Sequence, residues 1–351
     1  MTVDRARGTT LRPSVLLGAV VTVLVVSMLG LTIGPTSISP LDALQEVGSH
    51  LPLLHIRSPL PPAQAAIVWD LRFPRVVLAL LVGGLLALCG GSYQGVFRNP
   101  LADPYLLGVA AGAGFGATLA IVAGLHSGGG GSSDLIPLAA FAGALTAVAI
   151  TYAVGATGDS RRSSASLLLA GVAITSLLTA MQTFVQQRET DTIREVYSWI
   201  LGRLTTAGWH DVVLVLPYAV VSSTVLLAHR RTLDVLSVGD DEAATLGLHT
   251  NRVRAIVVVA ASLGTAAAVS VSGLIGFVGI IVPHTIRLLG GASYRVILPL
   301  SLLLGGAFLV GADIVARTAL APAEVPIGVI TAFFGAPFFV LVLRTRRVVA
   351  T

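Results

Sequence analysis

The chain has 351 residues, 54% hydrophobic, 11% charged and 6% aromatic, with a formal net charge of +5. Soluble globular proteins carry about a quarter charged residues, so at a mean hydropathy of +0.88 this chain cannot build a water-facing surface. The soluble-enzyme classes drop out, and the arginines lie scattered between apolar runs rather than clustered on a nucleic-acid face.

In chain order, Arg5, Arg7 and Arg12 precede an apolar run from about 15 to 33. That run is longer than a signal-peptide core and no A-x-A-like site follows it, so it reads as a retained first transmembrane helix. Residues 34–70 are proline-rich and read as an extramembrane loop with a short amphipathic piece at 37–48. Apolar segments follow at about 72–97, 105–124, 135–157, 164–186 and 211–229, then, past a polar stretch, at 253–271, 276–290, 295–318 and 327–343. With about 20 residues per crossing, the fold class is an all-α polytopic membrane protein of about ten transmembrane helices. A second amphipathic piece is expected at 190–203, and the four glycines at 128–131 read as a flexible loop. The domain reading is a tail at 1–13, one ten-helix domain at 14–344 containing a loop at 233–252, and a tail at 345–351.

Ten crossings with the N-terminus inside place 15 of the 22 arginines on the cytoplasmic face. The positive-inside rule therefore expects both termini in the cytoplasm. Arg72, Arg75, Arg203 and Arg317 are among the outer exceptions. Gly83, Ala87, Gly91 and Gly95 recur every four residues, as do Gly108, Gly112 and Gly116. Such stripes let helix backbones approach closely, with a glycine-lined pathway as the other reading. His284 and Asp313 are the main ionisable residues inside apolar segments, and no chain of buried carboxylates suggests a proton relay.

Several segments carry possible roles. Arg72 and Arg75 flank Pro74, which suits a first helical turn. Three apart on one face, they fit capture of carboxylates or anchoring by lipid phosphate. In the turn 98–104, Asn99 or Asp103 can cap a helix. The loop 233–254 contains GDDEAATLG at 239–247, in which Asp240 resembles an N-cap and Gly247 a stop, so a short docking helix is expected outside the bilayer. The glycines of 273–279 before Pro283 imply a broken or short helix covered by protein or a cavity. Asp313 and Arg317 are spaced for an intrahelical ion pair, with Glu324 a competitor for that arginine. All 22 basic residues are arginine, so the lysine of a GxxxxGK[ST] loop is absent and any ATP is hydrolysed by another subunit. The one cysteine, Cys89, allows neither an intrachain disulfide nor a multi-cysteine metal cluster.

Taken together, the stretches LRFPR (71–75), QGVFRNPLADP (94–104), LLLAGV (167–172), LIGFVGIIVPHTIR (274–287), ADIVARTALAPAEVPIG (312–328) and GAPFF (335–339) resemble the membrane permease subunits of type II ABC importers. That family carries iron chelates and cobalamin. The resemblance implies a homodimer in the bacterial cytoplasmic membrane, two ATP-binding subunits on the inner face and an external solute-binding protein. It assigns Arg72, Arg75 and Arg317 to docking of that binding protein. It assigns Asp240, Asp241, Glu242, Ala243, Ala244 and Gly247 to ATPase coupling, and Asn99, Leu101 and Ser164 to a cytoplasmic gate. Ala165 stands where the cobalamin relative has a hydroxyl. No catalytic residue, metal or cofactor is expected in this chain, since ATP and Mg belong to the partner ATPase. The expected function is import of a ferric siderophore or haem by alternating access, with cobalamin the alternative. The different-class rival is an ion-coupled secondary transporter, which would want midplane carboxylates. An intramembrane enzyme would want HExxH or GxSxG, and neither occurs.

Overall fold

A computed structural model describes residues 11–51, 57–125, 135–155, 160–205 and 207–349, with side chains described except at 160–164, 343 and 345–349. The expected glycine loop at 128–131 and most of the expected N-terminal tail lie outside the described residues, whereas 345–349 of the expected C-terminal tail continue the last helix. Among those described, the helices are α1 (Pro13–Thr32), α2 (Pro40–Ser49), α3 (Pro62–Ala66), α4 (Phe73–Val96), α5 (Val109–Val122), α6 (Leu135–Gly155), α7 (Ser160–Arg188) and α8 (Ile193–Ile200). They continue with α9 (Trp209–Ala228), α10 (Arg230–Leu236), α11 (Asp240–Thr245), α12 (Thr250–Ser272), α13 (Val278–Gly290), α14 (Tyr294–Thr318) and α15 (Ile327–Val349). No strand occurs among the described residues. In lipid only internal hydrogen bonds satisfy the backbone, and helices do so segment by segment.

All ten apolar segments are helices: α1, α4, α5, α6, α7, α9, α12, α13, α14 and α15. Among the described residues, seven helical stretches are long and apolar enough to cross a membrane, while α5, α13 and the apolar part of α15 are shorter. The pieces α2 and α8 fall where amphipathic helices were expected. One boundary differs. The loop expected to run to residue 70 is already helical from Pro62, and a π-helical turn over Ile67–Arg72 joins α3 to α4. Pro74 therefore sits inside a continuous helix rather than opening one. Its ring cannot accept a normal α-turn without striking the carbonyl four residues back, and the wider π-turn, with Phe73 N–H on Val68 O, relieves this.

Helix α4 is apolar on all sides, and it is buried on all sides, as such a helix must be. It runs through the middle of the bundle against α14, α12, α13 and α9. Its glycine stripe sets how close these neighbours come: a Cβ on Gly83 would strike the backbone carbonyl of Gly305, and one on Gly90 that of Gly279. Gly112 and Gly116 do the same for α5 against Gly143 and Ala139 of α6. Gly91 and Gly95 instead face side chains, and Gly108 is a left-handed residue ahead of α5. Three buried hydroxyls are satisfied within their own helix: Ser92, Thr118 and Thr265 each donate to the carbonyl four residues back.

Because Gly279 lies against Leu86 and Gly90, α13 starts partway along α4 rather than at its end. The turn after α4 climbs back to the same level, where Pro104 meets Gly279. The Tyr105 hydroxyl donates to Ile275 O at 3.0 Å and accepts from Ile275 N–H at 3.1 Å. The broken backbone expected at 273–279 is thus covered by protein.

Candidate functional sites at the two ends of the bundle

At one end, Asp313 on α14 is 1% exposed and forms the centre of a charge cluster. Arg75 donates to it through Nε at 2.9 Å and Nη2 at 2.7 Å, and to Glu324 through Nη1 at 3.1 Å and Nη2 at 2.8 Å. This bidentate geometry is what guanidinium and carboxylate favour. Arg317 stands one helical turn from Asp313, with Nε at 3.7 Å, while its Nη2 donates to Gly30 O at 2.6 Å. The intrahelical pair expected from the spacing is therefore present but secondary. Glu324 goes to Arg75 rather than to Arg317.

Arg72 turns away from this cluster and donates to the carbonyls of Leu31, Thr32 and Thr36 at 2.8, 3.1 and 2.6 Å. It closes the C-terminal end of α1, whose last carbonyls have no helical partner. Arg72 and Arg75 do not act as a pair, despite their three-residue spacing. Arg72 and Arg317 are each 6% exposed, so of the three arginines only Arg75 reaches a surface cavity. That cavity, of about 190 Å³, is lined by Arg75, Arg203, Asp313, Glu324 and Pro326 among others. Arg203 was noted only as an exception in the arginine count. Its position beside the cluster depends on the turn after α8 meeting the C-terminal end of α12, where Arg203 N–H donates to Ser272 O, and no local pattern announces that.

At the other end lies α11. Its N-cap is Gly239, at φ 152°, and not Asp240. Asp240 spends its carboxylate on two arginines: Arg254 of α12 at 3.1 and 3.2 Å, and Arg98 at 3.3 Å. Gly247 does end the helix, at φ 80°. Gly247 N–H bonds to Ala244 O and Leu248 N–H to Ala243 O, the paired closure of a Schellman end. Ala243 is buried beneath the helix, Asp241, Glu242 and Ala244 are exposed, and Val238 and Leu246 stand 69% and 73% exposed.

Helix α4 ends in the same way, with Arg98 N–H on Gly95 O and Asn99 N–H on Gln94 O. Here the left-handed position is filled by Arg98, at φ 49°, where glycine is usual. A side chain in that region costs about 1 kcal/mol. Beyond it, Asn99 Oδ1 accepts from Leu101 N–H at 3.0 Å and Asp103 Oδ1 from Tyr105 N–H at 2.8 Å. Neither residue caps a helix as expected, because α5 begins only at Val109, behind Gly108. Ser164 lies in α7, and its side chain is outside the described residues; Ala165 is exposed.

A polar network missed by sequence reasoning connects these parts. Gln94 is buried. Its Nε2 donates to Gly279 O at 3.0 Å, while its Oε1 accepts from Arg287 Nη1 at 2.6 Å. Arg287 stacks on the Tyr294 ring. Asp234 of α10 accepts from Tyr294 N–H at 2.6 Å and Ser293 Oγ at 2.8 Å. His284 is also buried, edge-on to Phe338.

An all-helical bundle of this length and apolarity among the described residues defines a multi-pass membrane protein. The FecCD transport family matches residues 22–345, and the chain belongs to that family. Over 295 residues it is 46% identical to the cobalamin import system permease protein BtuC of Halobacterium salinarum, covering 82% of this chain and 76% of that one. It is 37% identical to the hemin transport system permease protein HmuU of Yersinia pestis, covering 80% and 84%. Other relatives are named for ferric hydroxamate, ferric citrate and molybdate import. A solved ABC transporter described as of the metal-chelate type, in an inward-facing conformation, superposes with a TM-score of 0.82 at 30% identity, covering 95% of this chain and all of that one.

Proposed function

We propose that this chain is the permease subunit of an ATP-driven importer for a bulky metal chelate. The cargo is a ferric siderophore or haem, as the sequence led us to expect, or cobalamin, which the 46% identical relative favours. The observation that carries the reading is α11: a short helix on an otherwise minimal face, presenting Val238 and Leu246 to solvent beside Glu242 and Gly247. Exposed apolar side chains in such a place mark a protein contact, and with no lysine for a phosphate-binding loop in this chain, any ATP that drives it is hydrolysed by the partner there. On this reading the chain has no catalytic residue and binds no cofactor or metal. It works as a dimer, the loop at 233–252 couples to two ATPase subunits in the cytoplasm, and both termini lie on that side.

At the opposite end we place the binding protein. The cavity lining sets Arg75 and Arg203 against Asp313 and Glu324, and the buried Arg72 and Arg317 behind it add positive charge. A carboxylate on the binding protein displaces Glu324 from Arg75 and reaches Arg203, while Arg72 and Arg317 hold the frame and raise the potential. Such pairs set orientation and on-rate more than affinity. The turn holding Asn99 and Leu101, with Ser164 opposite, is the cytoplasmic gate of an alternating-access cycle.

The test is purification. The chain should co-purify with an ATPase that has a Walker A motif, and Leu246→Arg should abolish that association without unfolding the permease. Uphill transport by the chain alone, driven by an ion gradient, would overturn the proposal in favour of a secondary transporter. Titration of the cognate binding protein with ferric siderophore, haem and cobalamin decides the cargo.

A further inference from the structure

The two Schellman ends described above differ in a way that local folding does not account for. Helix α11 closes with Gly247, the residue that takes a left-handed conformation freely. Helix α4 closes with Arg98, which does not. Backbone conformations of this kind persist where the side chain is needed at that spot. The Arg98 side chain has one ionic partner among the described residues, Asp240, the first residue of α11. The next residue in the chain, Asn99, begins the turn closed by its own Oδ1 on Leu101 N–H.

We propose that Arg98 is a positioning residue: its ion pair with Asp240 ties α11 to the turn at 99–101, so that a displacement of α11 moves the gate. The inference rests on the coupling and gate roles proposed above and adds the element that joins them. Asp240 is well suited to be the shared carboxylate. Arg254, 4% exposed, holds it from α12, and Arg98, 42% exposed, holds it from the turn. The buried arm is anchored and the exposed arm is free to break and re-form. Like other exposed pairs it is weak, which suits a contact that must change within each cycle.

The experiment follows the gate turn itself and needs no knowledge of the cargo. Leu101→Cys provides a maleimide reporter, because the one native cysteine, Cys89, is fully buried. In the complex of permease and ATPase, the labelling rate is compared with and without ATP–Mg and vanadate. The reporter chain should show a nucleotide-dependent change. Arg98→Gly should reduce that change about threefold or more and Arg98→Gln should do the same, while Arg98→Lys, which keeps the charge, should preserve it. Because glycine suits the left-handed site, Arg98→Gly should melt no lower than its parent, so its defect cannot be unfolding. A full nucleotide response in Arg98→Gly overturns the tie and leaves the coupling reading standing. No nucleotide response in the reporter chain itself overturns both.

Discussion

The two charge clusters are built from the same groups and do opposite things with burial. At the Arg75 end a 1% exposed aspartate is held by Arg75 and Arg317, and Arg317 is itself buried and fixed to a backbone carbonyl of α1. At the Asp240 end the carboxylate is 19% exposed and one of its arginines reaches out to 42%. A buried pair is costly to assemble and more costly to break, so the Asp313 core of the first cluster holds one arrangement while only the exposed Glu324 can be exchanged. An exposed pair exchanges readily with water, so the second can switch. Rigid charge belongs where a partner must find a fixed surface, and labile charge where force must be passed on.

This contrast sets the expected sizes of the effects. Asp313→Ala should be the most damaging, leaving Arg75 and Arg317 without their buried counter-charge, at a cost of about 3–5 kcal/mol read as lost thermal stability in detergent. Arg98→Gln, which removes only the exposed arm on Asp240, should cost less than about 1 kcal/mol; a loss equal to that of Asp313→Ala would erase the distinction between the ends. Glu324→Gln should change stability least, by a few tenths of a kcal/mol, since Glu324 is 34% exposed and Asp313 still holds Arg75.

The helices were legible because membrane burial imposes long apolar runs, and all ten were found by that signal alone. Their glycine stripes were legible for a similar reason, since spacing by four fixes a face. What escaped was set by contacts between distant segments. Nothing near Arg72 announces that it closes α1, forty residues earlier, or that Asp313 prefers Arg75, 238 residues away, to Arg317 on its own helix. The π-turn at 67–72 hid the start of α4, because Pro74 reads locally as a beginning. Arg98 was visible as a basic residue after a helix. The clue passed over was that it occupies the place where Gly247 stands in α11.

The short reach of α5 and α13 carries a last consequence. Helices of 14 and 13 residues span only about 20 Å, well under the thickness of a hydrocarbon core. The irregular chain before each of them is sheltered by the other, stitched through one phenol between Tyr105 and Ile275. If that stitch were undone, two main-chain groups would face oil with nothing to bond, and water would be drawn in to meet them. The bundle thus carries, halfway through its thickness, a seam that opens wet or not at all.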